Sequence, residues 1–295
     1  MSRQQATNME LGRDTSRVNQ MVNGGFEIWQ RGNGPFTTSY CADRYFVGVA
    51  GTDTVSVSRN TATIDAGSRA SMQVAYTRVT GGSNVYQQLM ASDGHQLGGK
   101  TLSASVRVRA GVAGHCYLLF TATGTGAVGI TSAFHPGGNT WQTITCSGLV
   151  VPTDFTYVLF EIVFSQTDTL YFDNAMIVMG NQPADYVPLP PADDLARCLR
   201  YYQIMPMNSC VIGGSAAGAG QREFFIFAFP KMGAPPTPTV SAAATWSKSN
   251  CNDTVPALWG PNINNLGMSI YAAAAGEFFM QGVAGSQIVL EWNPT

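Results

Sequence analysis

Charge is scarce in this sequence. Asp, Glu, Lys and Arg make up 12% of its 295 residues, about half the roughly 25% usual in soluble globular domains. The net charge of −2 supplies neither the basic field of a nucleic-acid-binding protein nor a polybasic membrane patch. No apolar run is long enough to span a bilayer, so membrane insertion is not expected. Met1–Gln20 has no hydrophobic signal core, and the expectation is a soluble chain without an export signal of its own. Histidine is rarer still. Only His95, His115 and His135 occur, none of them in HExxH or another metal-ligand spacing. The six cysteines (Cys41, Cys116, Cys146, Cys198, Cys210, Cys251) are far apart with no CxxC pair. They read as buried free thiols rather than a disulfide framework.

Catalytic patterns are thin as well. Gly124-Thr125-Gly126-Ala127-Val128-Gly129 matches GxGxxG after a strand-like run, but a dinucleotide site needs a helix next. Ile130–Phe134 instead runs into His135-Pro136-Gly137-Gly138, so the motif reads as a glycine-rich strand connection. Gly213-Gly214-Ser215-Ala216-Ala217 lacks the glycine a nucleophile elbow needs after its serine. Glu161, Asp168 and Asp173 are close in sequence, and paired carboxylates are what glycoside hydrolysis uses, yet nothing groups them in a cleft. No enzyme activity is expected.

What is abundant is glycine, at 32 residues, together with short runs of period-2 alternation. Thr101–Arg109 is the clearest: Leu102, Ala104, Val106 and Val108 point one way, Ser103, Ser105, Arg107 and Arg109 the other. Similar runs occupy 44–49, 54–59, 70–77, 84–90, 115–122, 141–147, 157–164 and 170–178. About ten short strands at this spacing predict an antiparallel β-sandwich rather than βαβ units. Before it, residues 1–20 form a polar arm, either a frayed terminus or a docking peptide for a larger assembly.

Residues 181–204 divide the chain. Pro183, Pro188, Pro190 and Pro191 favour an extended path, and a short helix follows, with Asp193 and Asp194 at its start and Arg197 and Arg200 near its end. Leu195, Cys198, Leu199 and Tyr202 draw an apolar stripe along it. The stripe either lies on a neighbouring β-domain or meets its own copies around a threefold axis. In the remainder, 205–295, Val211–Gln221 reads as a flexible Gly/Ala connection. Glu223–Phe229 reads as a strand apolar on both faces, with Phe225, Phe227 and Phe229 on one side and Phe224, Ile226 and Ala228 on the other. Such a strand fits between its own domain and a neighbouring subunit, which makes Leu195, Leu199, Tyr202, Phe225 and Phe227 the expected oligomer interface. The predicted fold is all-β: two antiparallel β-sandwich domains, jelly-roll-like over 21–180 and a smaller trimerising β-domain over 205–295, joined by the Pro-rich linker and short helix.

Several stretches resemble a known family. Asn23-Gly24-Gly25-Phe26-Glu27-Ile28-Trp29-Gln30-Arg31-Gly32, followed by Tyr40-Cys41-Ala42-Asp43-Arg44-Tyr45, looks like the opening of a jelly-roll module of bacteriophage tail and appendage proteins. That module is similar to the carbohydrate-binding modules of glycoside hydrolases. Leu97–Ser103, Thr140-Trp141-Gln142 and Tyr171-Phe172-Asp173-Asn174-Ala175 resemble its later signatures, in the expected order. Cys198-Leu199-Arg200-Tyr201-Tyr202-Gln203 and Phe229-Pro230-Lys231-Met232-Gly233-Ala234-Pro235-Pro236-Thr237 resemble the C-terminal region of phage tail fibres, except that Gly233 replaces the usual basic residue.

The resemblance implies a phage virion protein: a homotrimeric tail fibre or fibre-like appendage, held to other virion proteins by its N-terminal arm and attached to host-surface glycan. A non-binding decoration or connector protein of capsid, neck or tail is the alternative, and a polysaccharide depolymerase the second. The resemblance also implies a structural calcium ion held by Glu27 and Asp173, with a closed charge pair to Arg31 or Arg44 as the other reading. Trp29 reads as core. Trp246, Trp259 and Asn262–Asn265 read either as a sugar site or, for the tryptophans, as core packing.

Overall fold

The computed structural model of the chain describes residues 18–93 and 95–292. Apart from its last three residues, the N-terminal arm lies outside them. The chain divides between Leu195 and Ala196 into two compact units.

The first unit has strands β1 (Phe46–Gly48), β2 (Thr54–Asn60), β3 (Ser71–Thr77), β4 (Asn84–Met90), β5 (Thr101–Arg109), β6 (Cys116–Thr123), β7 (Ala127–Thr131), β8 (Trp141–Val150), β9 (Tyr157–Phe164) and β10 (Asp168–Met179). They form two five-stranded antiparallel sheets, β1-β4-β9-β6-β7 and β2-β3-β10-β5-β8. This is the sandwich that the alternation predicts. Leu118, Phe120, Phe160 and Ile162 of one sheet join Val74, Val106, Leu170 and Phe172 of the other in a single buried core, each contributing roughly 1.5–3 kcal/mol relative to exposure. The glycine-rich 124–126 forms the connection between β6 and β7, with strand rather than helix on both sides.

Two details depart from simple alternation. Ser103 and Ser105, on the side opposite Leu102 and Ala104, are buried as well. The proline-rich segment runs past that side of β5, and the two hydroxyls donate to Gly180 O at 2.9 Å and Ala184 O at 3.1 Å. The start of the described chain is likewise tied down. Asn19 Nδ2 donates to Ala175 O at 2.9 Å, and its Oδ1 accepts from Ile177 N at 3.0 Å. Gln87, wholly buried within the sandwich, exchanges hydrogen bonds with Val22 N and O at 2.9 and 2.8 Å. Gly24 is required by this closeness: a Cβ there would lie 2.3 Å from Ala175 O.

Helix α1 (Pro191–Cys198) spans the division between the units, with Pro191 first, Asp193 and Asp194 in its first turn and Arg197 in its last, the polarity the helix dipole favours. It is shorter than the stripe implied. Tyr202 belongs to a strand, because the chain leaves the helix in a tight turn (Tyr201 N to Cys198 O, 3.0 Å) and then pairs with the last strand.

The second unit contains β11 (Tyr202–Pro206), β12 (Val211–Ala216), β13 (Arg222–Ala228), β14 (Thr237–Val240), β15 (Trp246–Ser249), β16 (Ala257–Trp259), β17 (Asn265–Tyr271), β18 (Gly276–Gly282) and β19 (Gln287–Glu291). They make three three-stranded sheets, β11-β19-β14, β12-β18-β15 and β13-β17-β16. The last three strands sit at the centres, and the two earlier triplets flank them in reverse order. From those central strands Leu266, Met268, Ile270, Phe278, Met280, Ile288 and Leu290 supply about half of the core. The Gly/Ala run at 211 is a strand after all. Gly213 and Gly214 pair with Phe279 and Phe278, and a Cβ on Gly213 would come within 2.7 Å of Phe278 O, so glycine is what this close pairing needs. β13 is an edge strand. In the single chain it is not buried on both faces: Phe224, Phe225 and Ile226 are all exposed.

Candidate functional site

The sheet β1-β4-β9-β6-β7 turns one side to the core and leaves the other half-exposed. Pairing aligns Phe46 with Tyr86, Tyr86 with Glu161, Glu161 with Leu119 and Leu119 with Thr131, which makes one straight row across all five strands. The next row carries Gly48, Asn84, Val163 and Tyr117. Aromatic rings frame both rows. Tyr40 meets Phe46 edge-on at 5.2 Å, Phe46 lies 5.5 Å from Tyr86, and Tyr117 meets the exposed Phe134 at 5.0 Å.

Polar groups sit between the rings. Asn84 Nδ2 donates to Glu161 Oε1 at 2.7 Å, leaving Oε2 to accept from a ligand. Burial pushes the Glu161 carboxyl above its usual range, and the Asn84 bond pulls it part of the way back. Burial also raises the Tyr86 phenol, helped by the nearby Tyr40 and Glu161. The Asn84 amide has room because residue 48 is glycine: a Cβ there would lie 2.2 Å from Asn84 Oδ1. Rings offering apolar faces beside a carboxylate and an amide suit a pyranose, whose C–H face stacks and whose hydroxyls hydrogen-bond. Sequence reasoning missed this set, apart from noting Glu161 as a lone carboxylate. Asn84, Tyr86 and Gln88 alternate with buried residues on β4, a signal of one face, but the register that joins them to Glu161 is not written in any single strand.

The expected site residues fall elsewhere. Glu27 Oε1 accepts from Arg69 N at 3.2 Å. Asp173, fully buried, accepts from Asp65 N at 3.2 Å, from Asn174 N at 2.8 Å and from the Ser68 hydroxyl. Desolvation raises the Asp173 carboxyl to about 7. Glu27, Asp173 and Asp194 all bear on Tyr186, whose phenol burial pushes well above its usual range. Tyr186, Glu27 and Asn174 line a cleft of about 230 Å³. These residues do not fit a calcium ion. N–H and O–H donors surround Asp173, Asp65 is engaged by Arg107 at 2.6 Å, and among the described residues no three His, Cys, Asp or Glu are grouped to hold a metal. As for the charge-pair reading, among the described residues Arg31 lies 3.9 Å from Asp43 and Arg44 donates to Gln88 O at 2.6 Å.

Of the residues expected at an oligomer interface, Leu195 and Phe225 are exposed, Leu199 is half-buried, Phe227 packs against the second core and Tyr202 is buried. Trp29 and Trp246 are buried, whereas Trp259 is exposed. The Asn262–Asn265 amides serve their own turn, Asn262 Oδ1 accepting from Asn264 N and Asn265 N at 3.0 and 2.9 Å. Glu161, Asp168 and Asp173 do not converge. Glu161 stands on the open face of one sheet, Asp168 pairs with His115 at 2.9 Å, and Asp173 is buried in the other sheet.

No family model matches the sequence, and no curated protein matches it. Among solved structures, a domain of tailspike protein 4 from bacteriophage CBA120 aligns with 55% of this chain at 15% identity and a TM-score of 0.43, and the aligned part spans only 21% of that chain. The C-terminal family 22 carbohydrate-binding module of a Clostridium thermocellum xylanase aligns over 54% of this chain and 100% of its own, at 16% identity and a TM-score of 0.37. A family 61 carbohydrate-binding module solved with β-1,4-galactotriose aligns over 55% and 99%, at 10% identity and a TM-score of 0.36. Over about half its length the chain is thus similar to carbohydrate-binding jelly rolls and to a phage tailspike domain, at levels that assign no family.

Proposed function

We infer that the chain is a glycan-binding structural protein of a bacteriophage virion, a homotrimeric appendage on the particle exterior, and that the open face of its first unit holds the sugar. The row Phe46–Tyr86–Glu161 with Asn84 beside it carries this reading. It combines ring faces with a carboxylate and an amide already fixed to each other, so little side-chain freedom is lost on binding. The sequence resemblance to phage appendage modules supports the virion setting, with the N-terminal arm as the attachment to other virion proteins. Exposed Phe225 on an edge strand and the scarcity of charge support a self-associating chain. No hydrolytic role is part of this reading, since the three acidic candidates stand apart.

The test is a glycan array probed with the full chain, followed by titration of the best hit. Tyr86→Ala and Glu161→Gln should each weaken that hit at least about tenfold, roughly 1.4 kcal/mol. An array without hits would sink the adhesin reading and leave a decoration or connector protein. Light scattering tests the trimer separately, with about three times 31.4 kDa expected.

A further inference from the structure

The sheet β13-β17-β16 of the second unit presents a chemically different surface. Pairing sets Arg222 beside Tyr271, Phe224 beside Ser269 and Ile226 beside Gly267, with Trp259 on the far side of Gly267. These residues share the side of the sheet opposite Leu266, Met268 and Ile270, which are buried in the core. Trp259 lies flat over Gly267, where a Cβ would fall 2.4 Å from the indole Cε2. Phe224 props the indole edge-on at 5.5 Å.

Arg222 is held against this platform. Its guanidinium stands 5.7 Å from the Trp259 ring centre and 5.1 Å from that of Tyr271, and Nη2 donates to Ser269 Oγ at 2.8 Å. Ser269 is itself buried, so the anchor is fixed. Among the described residues no carboxylate lies within ion-pair distance of Arg222. Its neighbour Glu223 points to the opposite side of the strand, with Oε2 3.0 Å from the position of a Gly214 Cβ. The result is an oriented, uncompensated cation on an exposed aromatic surface.

We propose that this face binds a carboxylate-bearing saccharide, the carboxylate taken by the Arg222 fork and a sugar C–H face stacked on Trp259. A planar guanidinium fixed by rings matches a carboxylate in two-point geometry better than a mobile lysine does. Ring stacking alone would not select for charge. A second copy of the chain is the competing occupant, because Phe224 and Ile226 are strongly exposed. Covering Arg222 with protein strips water from an unpaired cation, which is unfavourable unless an acidic group answers it. A ligand carboxylate does so directly. The proposal is independent of the glycan site on the first unit.

The experiment is calorimetric titration of the full chain with three probes, oligogalacturonate, alginate oligomers and oligosialic acid, each against its carboxyl-reduced counterpart. At least one acidic probe should bind at least about tenfold more tightly than its neutral form. Arg222→Gln and Trp259→Ala should each cost that factor, Arg222→Lys should recover only part of it, and Tyr86→Ala should leave it unchanged. Absence of binding by all three probes, or wild-type binding by Arg222→Gln, overturns the proposal. So does a change in the solution mass of Arg222→Gln without acid binding, which would make the face a contact between copies. Loss of neutral-glycan binding in Tyr86→Ala alone speaks only to the first site.

Discussion

Trp292 lies where a side chain on residue 233 would have to be. A Cβ built on Gly233 falls 1.4 Å from the indole Cζ3, and the same indole stacks on Tyr201 at 5.3 Å with the planes 10° apart. Gly233 N donates to Arg200 O and Trp292 N to Tyr201 O, so three segments close around one ring. Glycine at this position therefore has a steric reason. Placing a basic residue there with Gly233→Lys should displace Trp292 and destabilise the second unit by about 1–3 kcal/mol. Scanning calorimetry should show one transition lowered and the other unmoved; an unchanged scan would mean the ring moves aside at no cost.

Asp173 makes stability depend on pH in an unusual direction. Burial raises its carboxyl from 3.8 to about 7, so between about pH 4 and pH 7 the folded chain holds a proton that the unfolded chain has released. Stability from this group is present below that window and is lost as pH rises through it, on the order of 4 kcal/mol. Asp53 works oppositely. Its carboxylate accepts from the Tyr76 hydroxyl and from the N–H groups of Val79, Thr80 and Gly81, which holds it well below the usual range, and its contribution fades on acidification. Asp173→Asn cannot titrate, so urea denaturation should show a smaller loss from about pH 5 to about pH 8 in the variant than in the parent chain. EDTA should leave the melting temperature unchanged in both, since the Asp173 environment supplies donors rather than further oxygen ligands.

The sequence made one architecture plain and concealed several parts of it. Thr101–Arg109 alternates so regularly that strand and inward face follow directly, and Leu102, Ala104, Val106 and Val108 are buried as read. The other face of the same strand could not be read, because Ser103 and Ser105 are buried by a segment some eighty residues later. Ala127–Thr131 and Val211–Ala216 lack bulk, and their strand character comes from partners rather than from their own propensity. Tyr202 fits a helical stripe equally well on paper; its pairing with Glu291 decides otherwise. The candidate sugar face is the sharpest case. Asn84, Tyr86 and Glu161 are ordinary half-exposed strand residues until register sets them side by side.

Thiol chemistry gives a compact check on both cores. All six cysteines are free, and all but Cys210 are buried. Desolvation pushes Cys41, Cys116 and Cys146 up to about 12, so almost none of each is thiolate near neutrality. Under native conditions a thiol reagent such as Ellman's should react slowly, and first at Cys210. After denaturation all six should react at once. Rapid native labelling of Cys41 or Cys146, identified by mass spectrometry of the alkylated peptides, would contradict the packing described for the sandwich.

Gly48 and Asn84 offer a way to disturb the candidate sugar face without removing any of its functional groups. Asn84 Oδ1 occupies the space where a residue-48 Cβ would sit, at 2.2 Å, while Asn84 Nδ2 holds Glu161 Oε1. Gly48→Ala must push the amide away and with it the carboxylate that it orients. Gly48 ends the short strand β1 at the edge of its sheet, so the fold should lose only about 1 kcal/mol. Glycan affinity should fall roughly as far as in Asn84→Ala, about tenfold, with the melting temperature close to that of the parent. If Gly48→Ala bound its glycan undiminished while Glu161→Gln did not, the carboxylate would act without the amide's help, and Asn84 would belong to the sheet rather than to the site.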